Sequence, residues 1–185
     1  MPVSLHKGAI MILLGQERDN TWSDFGGSTI QGESVLKTSI REGTEELSGI
    51  LGSDYDLEKR VLSNLLVTID YDTYTSHVFR INYDNNLPNY FNNVNIFAEI
   101  YMPNAVKEHN GLFEKKQIRW FKLDEFKNVN KKKILRHWYP PIIESIIKNE
   151  EFLKNELINY NFQMVNKNKN KNLIDSNSKN IVEII

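Results

Sequence analysis

Gly27-Ser28-Thr29-Ile30-Gln31-Gly32-Glu33-Ser34-Val35-Leu36-Lys37-Thr38-Ser39-Ile40-Arg41-Glu42-Gly43-Thr44-Glu45-Glu46-Leu47-Ser48-Gly49-Ile50 is the stretch on which the reading of this chain turns. From Ser34 onward the periodicity is helical: Leu36, Ile40 and Leu47 recur on one side, and Gly49 with Gly52 closes the segment. At 100° per residue, Glu42, Glu45 and Glu46 fall within about 100° of arc on the face opposite that apolar stripe. One face is core and the other is a carboxylate cluster. Like charges three and four residues apart cost a helix a few tenths of a kcal/mol per pair, a penalty that a hard divalent cation removes. Mg²⁺ and Mn²⁺ prefer carboxylate and water oxygens and leave further positions for phosphate oxygens. Arg41, four residues before Glu45, is placed to pair with it and fix its rotamer.

Outward from this helix the pattern is mixed. Lys7 to Leu14 is a continuous apolar run bounded by Gly15, as expected of a strand buried on both faces. Thr21 to Phe25 reads as a short strand ending at Gly26-Gly27. Leu62 to Tyr71 and Thr73 to Tyr83, β-branched and aromatic with a turn at Asp70-Tyr71-Asp72, predict a hairpin. Asn85 to Asn95 reads as a polar loop, and Ile96 to Met102 as a strand stopped by Pro103. Gln117 to Leu123 supplies a last strand, and Asn130 to Tyr139 and Pro141 to about Asn161 predict helices, the second with Ile142, Ile146, Leu153 and Leu157 as its apolar stripe. The fold class that follows is α/β: a mixed sheet with helices on both faces, in one domain over 1–162, followed by a polar flexible tail over 163–185.

The decisive stretch resembles the Nudix box, G-x5-E-x7-R-E-U-x-E-E-x-G-U with U a bulky apolar residue. Gly27, Glu33, Arg41, Glu42, Glu45 and Glu46 match at the family's spacing, and six fixed identities have chance odds on the order of 10⁻⁵ in a chain of this length. The resemblance implies a Nudix-type α/β/α sandwich with a loop-helix-loop catalytic motif. It implies Glu42, Glu45 and Glu46 as ligands of Mg²⁺ or Mn²⁺, Arg41 and Glu33 as supporting residues that order the helix, and Gly27 as the shaper of the entering loop. The activity implied is hydrolysis of a phosphoanhydride bond in a nucleoside diphosphate linked to another moiety: a nucleoside triphosphate, a dinucleotide, a nucleotide sugar or an mRNA cap. The chain departs from the box twice. Gly43 stands where a bulky apolar residue is usual, costing about 1 kcal/mol in a helix interior. Two residues rather than one separate Glu46 from Gly49, so the helix end is expected about one residue longer.

Relatives of the family often place a further glutamate in a late loop as the general base; Glu99, Glu108 and Glu114 are the candidates, with Glu114 preferred. A non-catalytic nucleotide- or RNA-binding module is the alternative from another class. Composition narrows the rest. The 185-residue chain has no cysteine, which excludes disulfides, thiolate zinc sites and cysteine nucleophiles and points to a reducing, cytoplasmic setting. A net charge of -1 removes any global electrostatic case for nucleic acid. Only a local patch stays in view, Lys131-Lys132-Lys133 with Lys115, Lys116, Lys122 and Lys127, as a polyphosphate or capped-RNA track. His6, His77, His109 and His137 lack ligand spacing for zinc. Trp22 and Trp120 read as core, with an aromatic near Phe25 or Trp120 as a candidate for stacking on a base. No leader and no membrane helix are read. The Asn-, Lys- and Ile-rich style resembles coding from an AT-rich genome, as in large DNA viruses, where the setting would be host cytoplasm.

Overall fold

The computed structural model describes residues 1–107 and 112–160. The predicted tail over 163–185 and the candidate Glu108 lie outside the described residues. Among the described residues six strands form one mixed sheet: β1 (Pro2–His6), β2 (Ala9–Gln16), β3 (Trp22–Ser23), β4 (Leu65–Tyr71), β5 (Tyr74–Arg80) and β6 (Gln117–Lys122). β2 is the hub. It pairs antiparallel with β1, β3 and β6, while β1 pairs parallel with β5, and β5 pairs antiparallel with β4.

The apolar run is buried on both faces, as its composition requires. Ile10, Ile12 and Leu14 enter one core cluster and Met11 and Leu13 the other. The first cluster packs under α6 (Pro140–Lys148) and a helical segment over 150–160, through Ile142, Ile143, Ile146, Leu153 and Leu157. The second packs under α1 (Val35–Glu46), α2 (Asp54–Asn64) and α3 (Leu87–Tyr101), through Ile40, Leu47, Leu57, Val61 and Phe91. Helices thus cover both faces of a mixed sheet, the α/β arrangement expected. Trp22 and Trp120 are buried, and Trp120 donates its indole N–H to the Asp84 carbonyl at 2.9 Å.

Several elements differ from the sequence reading. Lys7 and Gly8 do not belong to the first strand. Both have positive φ, 49° and 78°, and form the two-residue turn of a hairpin whose first strand, β1, the sequence reading did not identify. The expected loop over Asn85 to Asn95 and strand over Ile96 to Met102 are together one helix, α3, with Pro88 in its first turn, followed by the short α4 (Pro103–Lys107). Leu62 to Asn64 end α2 rather than open a strand. The expected helix from Asn130 to Tyr139 is instead the end of a one-turn α5 (Val129–Lys132), which a 3₁₀ turn (Leu123–Lys127) precedes, followed by a turn and a short extended stretch in which Trp22 bonds Ile134 and Arg136 as a strand would.

Candidate functional site

The loop from Asp24 to Ser34 and helix α1 build the site together. Ser34 caps α1, its hydroxyl accepting from the Lys37 N–H at 3.3 Å. Glu33, just outside the helix, turns back onto it: one oxygen accepts from Arg41 Nε at 2.9 Å, the other from Arg41 Nη2 at 3.2 Å and from the Thr38 hydroxyl at 2.8 Å. This two-pronged pairing holds Glu33 down to about 2, well under the ordinary carboxylate range, and raises Arg41. Arg41 Nη1 then serves both helix glutamates, at 2.9 Å from Glu42 and 3.2 Å from Glu45, while Nη2 also donates to the Ser28 carbonyl at 3.2 Å. The predicted Arg41–Glu45 pair is one arm of a guanidinium that gathers three carboxylates.

Gly27 fits this network sterically. A Cβ there would lie within 2.5 Å of both Glu42 carboxylate oxygens, so any larger residue would displace that carboxylate from the place it occupies beneath the loop. The glutamates are not the solvated face that the helical wheel suggests. Glu42 and Glu45 are partly buried and Glu46 is only 5% exposed. Desolvation raises the Glu45 carboxyl and pushes Glu46 up to about 8.

Glu46 is drawn away from Arg41. One of its oxygens accepts the Gly26 N–H at 2.8 Å and the other stands 3.3 Å from the Lys115 ammonium. Lys115, 1% exposed, also bonds Glu17 and donates to the Ser23 hydroxyl at 3.3 Å; Glu17 in turn takes Ser23 at 2.7 Å and Arg136 at 3.4 Å. Sequence reasoning missed Glu17 and counted Lys115 in a basic surface patch. Nothing local marks either residue, because each acquires its role from a partner far along the chain. Asp24, likewise unread, is buried and accepts from the Tyr74 phenol and from the Ser76 hydroxyl at 2.7 Å, anchoring the start of the loop to β5.

As for a divalent ion, Glu42 and Glu45 share a single guanidinium nitrogen, so their oxygens already sit within reach of one cation. With Glu33 added, three carboxylates face the single charge of Arg41. The donor chemistry and the residual negative charge fit Mg²⁺ or Mn²⁺ there. Among the described residues no three acidic or histidine side chains converge on one metal-sized point, because Glu46 is turned to Lys115.

Of the late-loop candidates, Glu114 and the exposed Glu99 line one cleft of about 260 Å³ with Arg18, Asn95 and Lys116. It is the neighbouring Lys115 side chain, not that of Glu114, that meets Glu46. The lysine track is largely paired: Lys127 with Asp124 and Glu150, Lys131 with Glu125, Lys132 with Glu144. A groove beside it, about 740 Å³, collects Lys132, Lys133, Arg136 and His137. Phe25 is buried in the second core cluster and Trp120 beside it.

Both departures from the motif have local explanations. Gly43 is buried where α2 crosses α1, and its missing side chain leaves room for Leu57, whose methyl would stand 3.2 Å from an added Cβ. The additional residue before Gly49 does not lengthen the helix, which ends at Glu46. It is taken up in the turn, where Ser48 and Gly49 adopt φ of 51° and 69° and the Gly49 N–H closes on the Thr44 carbonyl at 2.9 Å. No protein-family model matches the chain, and no curated protein matches it in sequence.

Proposed function

We propose that this chain is a Nudix-type pyrophosphohydrolase, cleaving a phosphoanhydride bond in a nucleoside diphosphate linked to another moiety. The observation that carries the reading is mutual contact among the motif residues. Gly27 leaves the space filled by the Glu42 carboxylate, and Arg41 joins Glu33, Glu42 and Glu45, so residues matched by spacing alone also touch. The loop-helix-loop over residues 24–49, set between helices on both faces of a mixed sheet, supports the Nudix sandwich as the finer description of the fold.

Mg²⁺ or Mn²⁺ would be held by Glu42 and Glu45, with Glu46 joining them on giving up Lys115. Bound there, the ion would polarise phosphate oxygens and lower the pKa of an attacking water. Arg41 and Glu33 position the carboxylates. Lys115 neutralises Glu46 and keeps its burial tolerable, and Glu114 is the residue of the adjoining cleft proposed as base. The test is a panel of nucleoside triphosphates, dinucleotides, nucleotide sugars and cap-labelled RNA with Mg²⁺ or Mn²⁺, reading released phosphate, pyrophosphate or nucleoside diphosphate. Glu42→Gln and Glu46→Gln are expected to abolish turnover with the fold intact, and full activity in either refutes the assignment.

One observation favours a second reading. With Lys115 already on Glu46, the chain could hold a nucleotide without hydrolysing it. Binding of a nucleotide with no product from any substrate decides for that module.

A further inference from the structure

Helix α3 is apolar around most of its circumference, yet its buried residues, Leu87, Phe91, Asn95 and Ala98, occupy one face. Helices of that composition are normally buried all round. Here Tyr90, Val94, Phe97 and Tyr101 stand out from the fold with 37 to 70% of their surface exposed, flanked by Ile96 and Ile100. Among the described residues nothing covers them.

The spacing of the four is 4, 3 and 4, the interval that keeps side chains on one seam of a paired helix. At 100° per residue they fall within about 60° of arc. The seam is also symmetric about its own midpoint. Tyr90 and Tyr101 are equidistant from it, as are Val94 and Phe97. A helix laid antiparallel across a twofold axis would therefore set Tyr90 against Tyr101 of the partner subunit, and Val94 against Phe97 of the partner subunit, a small side chain facing a large one. Glu99 is the one charged residue of the helix, so the patch carries nothing that selects an oppositely charged partner.

Area agrees with symmetry. At about 200 Å² per fully exposed side chain of this size, the four seam residues present roughly 430 Å², and Ile96, Ile100 and Met102, which lie outside the seam's arc, add roughly 330 Å² to the patch. A stable interface buries about 800 Å² on each side, and exposed apolar patches of this extent mark association surfaces. We propose that α3 is the interface of a twofold homodimer, formed by antiparallel pairing of the Tyr90–Tyr101 seam with a second copy of this chain. Asn95, on the opposite side of the same helix, donates its amide to the Lys115 carbonyl at 3.0 Å, so the interface backs directly onto the segment that supplies Lys115 to the candidate site.

The test is sedimentation velocity on the full chain at about 50 μM. The expected species has twice the chain mass of 21.6 kDa. Phe97→Glu, at an exposed position, is expected to give a monomer with unchanged circular dichroism and melting temperature. Because the chain has no cysteine, the single variants Val94→Cys and Phe97→Cys, mixed in equal parts so that no chain carries both thiols, provide a geometric check, expected to form an intersubunit disulfide between the two variants under mild oxidation. A monomeric full chain overturns the proposal, including the case where deleting 161–185 produces a dimer, since those residues would then be the occupant. A dimer that survives Phe97→Glu, or mixed single-cysteine variants that do not cross-link, overturns it equally.

Discussion

Gly27→Ala separates the steric logic of the site from the stability of the fold. Gly27 does not have positive φ, so its backbone accepts alanine without strain. What alanine cannot do is share space with Glu42. The new Cβ would lie within 2.5 Å of both carboxylate oxygens, where ordinary contact begins near 3.4 Å, so the carboxylate must retreat by about 1 Å. The retreating group is the end of a flexible side chain, and the fold should lose no more than about 0.5–1 kcal/mol. The chemistry should lose far more. A misplacement of about 1 Å in a catalytic group costs on the order of 10²-fold, or about 2.7 kcal/mol of transition-state stabilisation. The assay measures kcat/KM on whichever substrate the panel identifies, alongside the melting temperature and Mn²⁺ affinity of the same preparations. A variant within about threefold of the parent in kcat/KM would refute the reasoning that Gly27 exists to seat Glu42.

Lys115→Met leaves Glu17 and Glu46 without their buried ammonium and should cost about 3–5 kcal/mol in urea unfolding, with part recovered on adding Glu46→Gln; a loss under about 1 kcal/mol contradicts the pairing described. In EDTA, Glu46 titrates near 8 when folded against an ordinary 4.5, so the folded chain binds that proton more tightly than the unfolded one. The resulting stability is fully present below about 4.5 and lost as pH rises through about 8. The urea midpoint should fall across that window, and Glu46→Gln should flatten the profile. Gly43→Leu drives a side chain into Leu57 of α2 and should lower stability by about 1–3 kcal/mol, whereas Gly43→Ala should come out near neutral, its gain of up to about 1 kcal/mol in helix propensity offset by the 3.2 Å contact. Differential scanning calorimetry on the two variants checks the contrast.

The sequence is most transparent where the period of a segment matches a single buried face. β2 alternates its side chains between two cores, and α1 carries Ile40 and Leu47 inward with Ser34 at its start, so both are readable from spacing. α3 misleads for the opposite reason. Its apolar residues occur on nearly every side, erasing the 3.6-residue signal, and Ile96 to Met102 then imitates a short strand. α2 buries only Leu57 and Val61 among charged neighbours, too little to register, and β1 is broken up by Ser4 and His6. At the site, Arg41, Glu42 and Glu45 could be grouped because helix geometry is local, whereas Glu33, which precedes the helix, entered only through the resemblance to the motif. The capture of Glu46 by Lys115 and Glu17, and of Asp24 by Tyr74 and Ser76, is set by sheet register between distant strands, which no spacing encodes.

The pairing of β2 with β6, which opposes Gln16 to Gln117, has a consequence for how the molecule is made. As the polypeptide leaves the ribosome, α1 emerges well before Lys115. Throughout that interval Glu46 has no counter-charge, and its ionised form must keep its water. The helix can form early, but it cannot settle fully onto the sheet until β6 zips against β2 and carries the ammonium inward. Maturation of the acidic centre is thereby tied to one of the last strand-docking events of synthesis, and a nascent chain halted before β6 would hold its acidic helix loosely.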